Sequence, residues 1–408
     1  GASRMYDLRL SAEQIEIRDT VRDFVAEEVK PAALDAQRLD ACDRRLLAGV
    51  LDKASQLGLR TLALPEELGG AGADTLTLCI VTEELAVGDV DVAAVLAETS
   101  GLAGVLFSRM PAEQRERLLP EFLADDRYHL ARAVHEPEAD TALGVHYHRP
   151  GANEPSRKTA AARAGDGWVV NGVKRCVANA PIAKLFAVEA DIEGHGPGTL
   201  LVPRDAPGLT VREPDSGPRW YHGACGEVTI EDCRVPADSL LRRPLSVANG
   251  RGSPQLQALN LGIGRAAYEA ALDYADLRVQ GGRRIIEHQA IGTKLAEIAI
   301  KLEVARNAVW KAAFACDHPD AYADRSLADL PLQTVAEVFT AEAIFEAAKD
   351  AAECFGAMGV MRDMPLQKYV HDARICLHSG HGAGDAKLRI AEALAGYRRP
   401  AAPAIAAE

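Results

Sequence analysis

The chain has 408 residues, a formal net charge of −13 and 48% hydrophobic residues, a composition that excludes a disordered protein and allows two or three domains. The acidic balance and the absence of any run of about eighteen apolar residues argue against nucleic-acid and membrane partners. Eight scattered cysteines, with no pair two residues apart, argue against a structural metal site and a secreted disulfide scaffold. We therefore expect a cytoplasmic protein without a resident metal.

Residues 6–128 have the apolar periodicity of helices. Ser11 and Gln14 have the spacing of a capping box, in which each side chain satisfies a backbone N–H of the other residue. Further helical segments are predicted at 46–57, 75–87, 91–107 and 112–125. This part of the chain is predicted to be an N-terminal α-helical domain.

The periodicity changes at about residue 129, and residues 129–240 are predicted to form a small β-barrel or β-sandwich. Proline, glycine and aspartate separate the short β-type runs, which are 168–170, 185–188, 199–202 and 227–230. Asp166-Gly167 and Asn171-Gly172 are dipeptides typical of tight turns.

Helical periodicity returns over residues 241–397. One stripe of apolar residues indicates a buried helix face and comprises Ile291, Leu295, Ile298, Leu302 and Val309. A second long pattern, 333–354, ends near Gly356, which suits a helix stop. The tail at 398–408 is rich in alanine and proline and is predicted to be flexible.

Seven short motifs occur in a fixed order along the chain. They lie at 65–70, 136–137, 170–174, 231–236, 278–289, 355–359 and 369–375. Their order resembles that of the acyl-CoA dehydrogenase family of flavoproteins, over about residues 8–397. The resemblance implies an α+β fold with an N-terminal α-helical domain, a central β-barrel or sandwich domain and a C-terminal four-helix-bundle domain.

The resemblance also implies FAD as the cofactor and a homodimer or homotetramer as the assembly. The flavin ring would contact the β-domain near Val134, His135, Cys176 and Ala178, with Thr141 at a position where the family often has serine. Cys176 replaces an aromatic residue, and a small buried side chain is the default expectation for it.

A second group of residues is expected to bind the rest of an FAD molecule held by a neighbouring subunit. Arg278 and Gln289 offer a positive charge and donors to a pyrophosphate. The other members expected from the resemblance are Glu353, Gly356 and Ala357, whereas Gly382 stands where the family usually has a threonine that contacts the flavin. Two alternatives remain open here, namely that Arg278 is a surface ion-pair partner and that Gly356 only ends a helix.

The usual catalytic base of the family is missing. The family's reaction removes a proton α to a thioester carbonyl while the β-hydride passes to flavin N5. The base commonly lies eight residues after the position of Asp372, which is Gly380 here, and a second position used by some relatives is Gly252. Glycine cannot accept a proton, so another residue must act as the base.

Two residues are candidates for the missing base. Glu98 lies among apolar residues, where burial raises the pKa of a carboxyl group. His381 follows the lost base and titrates near neutrality. The alternatives are that Glu98 only lines a pocket and that His381 is solvated or adjacent to the flavin.

The sequence thus predicts an FAD-dependent acyl-CoA dehydrogenase that desaturates an unusual, bulky or alicyclic acyl thioester with a non-standard base. The thioester would be carried by coenzyme A or by an acyl carrier protein, and an electron-transfer flavoprotein would accept the electrons. One alternative is an FAD-containing member with desulfinase-like or oxygenase-like chemistry. The other is a catalytically inactive binding subunit.

Overall fold

The computed structural model describes residues 9–35, 38–39, 44–137, 157–214, 219–241, 245, 253–318, 332–378 and 382–395. Helices come first, then strands, then helices again. This order confirms the predicted α+β class and the three-part architecture.

The N-terminal helices follow the predicted pattern. They are α1 (Ala12–Phe24), a π-helical turn (Val25–Val29), α2 (Lys30–Ala33), α3 (Ala48–Gln56), α4 (Thr75–Gly88), α5 (Val90–Arg109) and α6 (Ala112–Ala124). The capping box is confirmed, since the Gln14 N–H donates to Ser11 Oγ at 3.1 Å and the Ser11 N–H donates to Gln14 Oε1 at 3.0 Å.

Within the described part of the chain, only helix α5 is long and apolar enough to cross a membrane. In this helix 67% of the apolar window is buried against the rest of the protein. Its side chains belong to two hydrophobic clusters, one shared with the C-terminal helices and one shared with the sheet. Packing on both sides therefore accounts for its composition.

The central region forms one seven-stranded sheet in the order β1-β4-β2-β3-β7-β6, with β5 paired to β4. Its strands are β1 (His129–Ala133), β2 (Ala160–Ala164), β3 (Gly167–Ala178), β4 (Ala183–Ile192), β5 (Gly196–Pro203), β6 (Leu209–Arg212) and β7 (Cys225–Pro236). Strand β1 runs parallel to β4, and β3 runs antiparallel to β7. The apolar faces enclose a cluster that includes Trp168, Phe186 and Val202.

The turn predicted at Asn171-Gly172 is wrong, because strand β3 continues through both residues. Asn171 and Asp232 bind each other across β3 and β7, with the Asp232 N–H donating to Asn171 Oδ1 at 2.8 Å. Gly172 lies so close to Thr159 that an added Cβ would come within 2.7 Å of its Cα. Long-range pairing therefore overrides the local turn preference of this dipeptide.

The C-terminal region consists of helices and one small hairpin. The elements are α7 (Pro254–Leu277), β8 (Val279–Gln280), β9 (Arg283–Arg284), α8 (Gln289–Asp317), α9 (Leu332–Cys354), α10 (Leu366–Cys376) and α11 (Gly382–Leu394). Most of the predicted stripe on α8 is buried, as Leu295, Ile298, Leu302 and Val309 show. A single hydrophobic cluster joins α7, α8, α9 and α10 to α1, α3, α4 and α5.

Candidate active site

Strand β3 bends at the segment proposed to face the flavin. Its pairing with β7 shifts between Lys174 and Val177, and Cys176 within this bulge has a φ of +52°. The left-handed region is costly for residues other than glycine, and such backbone strain concentrates at functional sites. The side chain of Cys176 is exposed. The expectation of a buried Cys176 is wrong, because the bulge turns the side chain away from the core.

Residues 134–136 run beside this bulge and are held there by hydrogen bonds. The Arg175 N–H donates to the His135 carbonyl at 2.9 Å, and Lys174 Nζ donates to the Val134 carbonyl at 3.2 Å. Lys174 also pairs with the buried Glu136 at 2.8 Å. The Glu-Pro motif therefore serves as a buried brace that keeps Val134 and His135 next to the bulge.

The charge state of Glu136 supports this bracing role. Burial raises the pKa of its carboxyl group, but the hydrogen bond from Lys174 and the N–H groups of Lys158 and Thr159 outweigh burial and lower the pKa to about 2. Glu136 is consequently ionised at neutral pH, and its role is structural. A carboxylate with so low a pKa is a poor acceptor for a substrate proton.

Glu98 lies on helix α5 and is partly buried. Burial raises the pKa of its carboxyl group, and the charge and backbone N–H of Arg132 oppose that rise without cancelling it. Arg132 lies in β1, two residues before Val134, and its guanidinium group binds Glu189. Glu98 therefore lies beside the strand that leads into the flavin wall, by which we mean Val134, His135 and residues 176–178. Its pKa is moved towards that of a useful base.

A buried polar cluster that no sequence motif marks links α5 to the sheet. Thr99 Oγ1 lies 3.1 Å from His129 Nδ1, and Asn179 Nδ2 lies 3.1 Å from the same hydroxyl oxygen. The only local sequence signal was that Thr99 follows Glu98 and Asn179 follows Ala178. Burial and the nearby Arg60 charge lower the pKa of His129 to about 4.

We expect His129→Gln to reduce the acid sensitivity of the fold. The unfolded chain protonates this histidine near pH 6.5 and the folded chain near pH 4, so wild-type stability falls as the pH drops between those values. This difference in pKa corresponds to a loss of roughly 3 kcal/mol in the free energy of unfolding. Denaturant unfolding at pH 7 and pH 4.5 measures the difference, and His195→Gln at an exposed site is the control. An equal pH dependence in wild type and His129→Gln would contradict this assignment.

A second missed feature is a buried ion network around Asp372 of helix α10. Arg44 donates to both carboxylate oxygens at 2.7 and 3.1 Å, and Lys368 donates at 3.0 Å. Arg44 also lies 2.9 Å from Asp91 of α5, which pairs with Arg219 at 2.9 Å. The network therefore joins both helical regions and the segment before β7.

The charges in this network stabilise one another. Burial raises the pKa of Asp372, but Arg44 and Lys368 outweigh burial and hold that pKa well below its usual range. Asp372 is the aspartate of the motif at 369–375, so this motif residue has a structural partner in the N-terminal region. The network fixes helix α10, the element that precedes Gly380 in the chain.

The residues expected to bind a neighbouring FAD lie on the C-terminal region, and all of them are exposed. They are Arg278, Gln289, Glu353, Gly356 and Ala357. Arg278 contacts the neutral Gln280 at 3.4 Å, and Glu353 pairs with Lys294 at 2.6 Å.

Gly356 adopts a φ of +56° after helix α9, and an added Cβ there would meet no atom within 4 Å. The backbone at this point is therefore open to a ligand, and glycine provides the conformation that the turn requires.

Several predicted residues lie outside the described part of the chain, namely Thr141, His381, Gly380 and Gly252. Gly382 begins helix α11. Helix α10 ends at Cys376, so His378 lies beyond the helix that carries His371. Within the described ranges, no group of three histidine, cysteine or acidic side chains could hold a metal ion.

Comparison with known proteins decides the family. Residues 11–126, 149–233 and 249–393 match the N-terminal, middle and C-terminal domains of acyl-CoA dehydrogenases. This chain belongs to the acyl-CoA dehydrogenase family. An acyl-CoA dehydrogenase of Bacillus subtilis strain 168 is 30% identical over 380 residues, which cover 90% of this chain and 94% of that protein.

Membership confirms three of the predictions: the family, the FAD dependence of its members and the class of flavin oxidoreductases acting on CH–CH groups. Solved structures share the fold. A glutaryl-CoA dehydrogenase from Mycobacterium smegmatis in complex with FADH2 has a TM-score of 0.79 at 21% identity, over 95% of each chain. The prolyl acyl carrier protein oxidase AnaB has a TM-score of 0.77 at 25% identity, over 95% of this chain and 100% of that chain.

Proposed function

We propose that this acyl-CoA dehydrogenase family member desaturates the α,β bond of an acyl thioester and uses Glu98 as the base. One observation carries the proposal. Glu98 borders the strand that leads into Val134 and His135, and its carboxyl group has a raised pKa. The position where the family commonly has its base is Gly380. A base on helix α5 restores the function that the glycine cannot perform.

The described residues fit FAD. The bulge exposes Cys176 beside the exposed His135, and Gly356 leaves open space at the turn after helix α9. The flavin ring would be held by Val134, His135, Thr141, Cys176, Ala178 and Gly382. The rest of an FAD molecule of the neighbouring subunit would be held by Arg278, Gln289, Glu353, Gly356 and Ala357. A homodimer or homotetramer follows from this division.

The residues of this chain perform the proton transfer. Bound FAD supplies the acceptor for the β-hydride. Glu98 must be ionised to take the α-proton, so the rate of reaction rises with pH through the Glu98 pKa, which burial places above the ordinary value of 4.5. The Arg132 N–H orients the carboxylate towards the strand that leads into the flavin wall.

Small residues around Glu98 favour a bulky or alicyclic acyl group. Ala94, Ala97 and Gly101 lie on α5 and are partly exposed. Glycines 380, 382 and 384 follow helix α10 in the sequence and would take little space beside the substrate. The carrier would be coenzyme A or an acyl carrier protein, and an electron-transfer flavoprotein would accept the electrons. All seven described cysteines are thiols, which agrees with a cytoplasmic setting.

An anaerobic titration tests this function. The purified protein, mixed with straight-chain, branched and alicyclic thioesters on coenzyme A and on a carrier protein, should lose its visible flavin absorbance with at least one of them. The largest rate is expected with a branched or alicyclic chain. A yellow protein whose spectrum no thioester changes would contradict the proposal, and a colourless protein that refuses FAD would favour an inactive binding subunit.

A second candidate is FAD chemistry without desaturation, of a desulfinase-like or oxygenase-like kind. Gly380 in place of the base and the exposed Cys176 in place of an aromatic residue favour it. Product analysis under air and under argon separates the two functions. An oxygenated product, or the release of a sulfur group without reduction of the flavin, would support this second candidate.

A further inference from the structure

Asn179, at the end of β3, is the centre of the buried polar cluster. Asn179 is 1% exposed, and Thr99 and His129 are 0% and 4% exposed. The two N–H groups of its amide serve three acceptors, which are the Val95 carbonyl at 3.1 Å, Thr99 Oγ1 at 3.1 Å and the Leu130 carbonyl at 3.2 Å. One side chain thus binds helix α5 and strand β1 together.

The backbone of Asn179 is constrained as tightly as its side chain. Its φ is +62°, a conformation that asparagine adopts more readily than most residues. Its N–H donates to the Ala224 carbonyl at 2.8 Å, and its carbonyl accepts the N–H groups of Ile182 and Ala183 at 2.9 and 2.8 Å. Glycine would adopt the positive φ but has no side-chain amide. Aspartate has a side chain of the same shape but no N–H groups to donate. Only asparagine meets both requirements.

Thr99 completes the connection with a fully used hydroxyl group. Its oxygen accepts from Asn179 and, at 3.3 Å, from the Leu130 N–H, so its proton is left to donate to His129 Nδ1. Nδ1 of His129 then carries no proton and the imidazole is neutral, in agreement with its low pKa. Leu130 lies two residues before Arg132, whose N–H contacts Glu98.

We infer that Asn179 and Thr99 are positioning residues that set the separation between Glu98 and the flavin-facing bulge at 176–178. This inference rests on the proposed function. Thr99 is the residue after Glu98, and Asn179 is the residue after Ala178, so each member of the pair lies one peptide bond from the group that it positions. A displacement of about 1 Å between reacting groups can cost about a hundred-fold in rate.

Three variants of the FAD-loaded enzyme test this inference. Asn179→Gly keeps the backbone conformation and removes the donors, and Thr99→Val keeps the shape and removes the hydroxyl group. Both should retain FAD, change the visible circular dichroism of the bound flavin and slow flavin reduction by saturating thioester about a hundred-fold. Thr99→Ser keeps the hydroxyl group and should retain both the wild-type dichroism and the wild-type rate.

Ser55→Ala is the matched control. Ser55 Oγ donates to the Asp126 carbonyl at 2.8 Å in a buried position on helix α3, so this variant also loses one hydrogen bond of the fold. It should lower the thermal midpoint and leave the flavin dichroism unchanged. The inference would be overturned if Asn179→Gly or Thr99→Val lowered the thermal midpoint but left the flavin dichroism as in the wild type.

The dichroism separates this inference from the proposed function. If no thioester reduces the wild-type flavin, the desaturation fails as a function, and the dichroism of the Asn179 and Thr99 variants still decides whether the cluster positions the bulge. If the thioester reduces the flavin in all variants at the wild-type rate and with wild-type dichroism, the function stands and the positioning role fails. A protein that refuses FAD overturns both.

Discussion

Glu98→Gln is expected to slow reduction of the bound flavin by an acyl thioester about a thousand-fold, the middle of the usual range for a positioned base. Glutamine keeps the shape and the contact with the Arg132 N–H but cannot accept the α-proton. The residual rate should lose the rise with pH that titration of Glu98 gives the wild-type enzyme, whose pKa at this position is raised by burial. Rapid mixing without oxygen across a pH series measures both effects.

The flavin spectrum and the FAD content of Glu98→Gln should match those of the wild type, because neither depends on the proton that Glu98 carries. His381→Gln is the comparison variant, since His381 is the other candidate base. It should reduce its flavin close to the wild-type rate. Full activity in Glu98→Gln together with loss of activity in His381→Gln would transfer the role of base to the histidine.

Asp372→Asn is expected to destabilise the protein by about 3–5 kcal/mol, because it leaves buried cations without their main anion. Arg44 and Lys368 both bind this carboxylate, and both side chains are almost fully buried. Water cannot replace the lost charge at such a site. The free energy of unfolding in denaturant, or the shift of the thermal midpoint, gives the size of the effect.

Asp52→Asn provides the matched control. Asp52 also binds an arginine with both oxygens, but the side chain of its partner Arg127 is 71% exposed. Surface pairs of this kind contribute about 1 kcal/mol or less. Replacing Arg44 by Met and Asp372 by Leu together should cost less than the two single changes added. A similar small loss in Asp372→Asn and Asp52→Asn would contradict the role of the network.

Much of the fold could be predicted from the sequence because helices bury one face at a regular spacing. The stripe on α8 is an example, since its members are three, four or seven residues apart and nearly all buried. Turn preferences were less dependable. The Asn171-Gly172 dipeptide lies inside β3 because Asp232 and Thr159, distant in sequence, determine its conformation.

The candidate site was only partly predictable, and the reason is again the range of its interactions. Burial of Glu98 could be read from its apolar neighbours, and the raised pKa agrees with that prediction. The pairing of Asn179 with Thr99 spans 80 residues, and that of Arg44 with Asp372 spans 328. No local pattern marks such partners. The exposure of Cys176 depends on a register shift between two strands.

The most direct test is a crystal structure of the FAD-loaded protein with an unreactive acyl thioester. The flavin ring is predicted to lie against Val134, His135 and residues 176–178, with the Glu98 carboxylate about 3–3.5 Å from the α-carbon of the acyl group. An α-carbon that faces another ionisable group, with Glu98 directed away from the thioester, would contradict the assignment of the base. A cleft closed by protein atoms, with no room for the ring, would contradict the entire site.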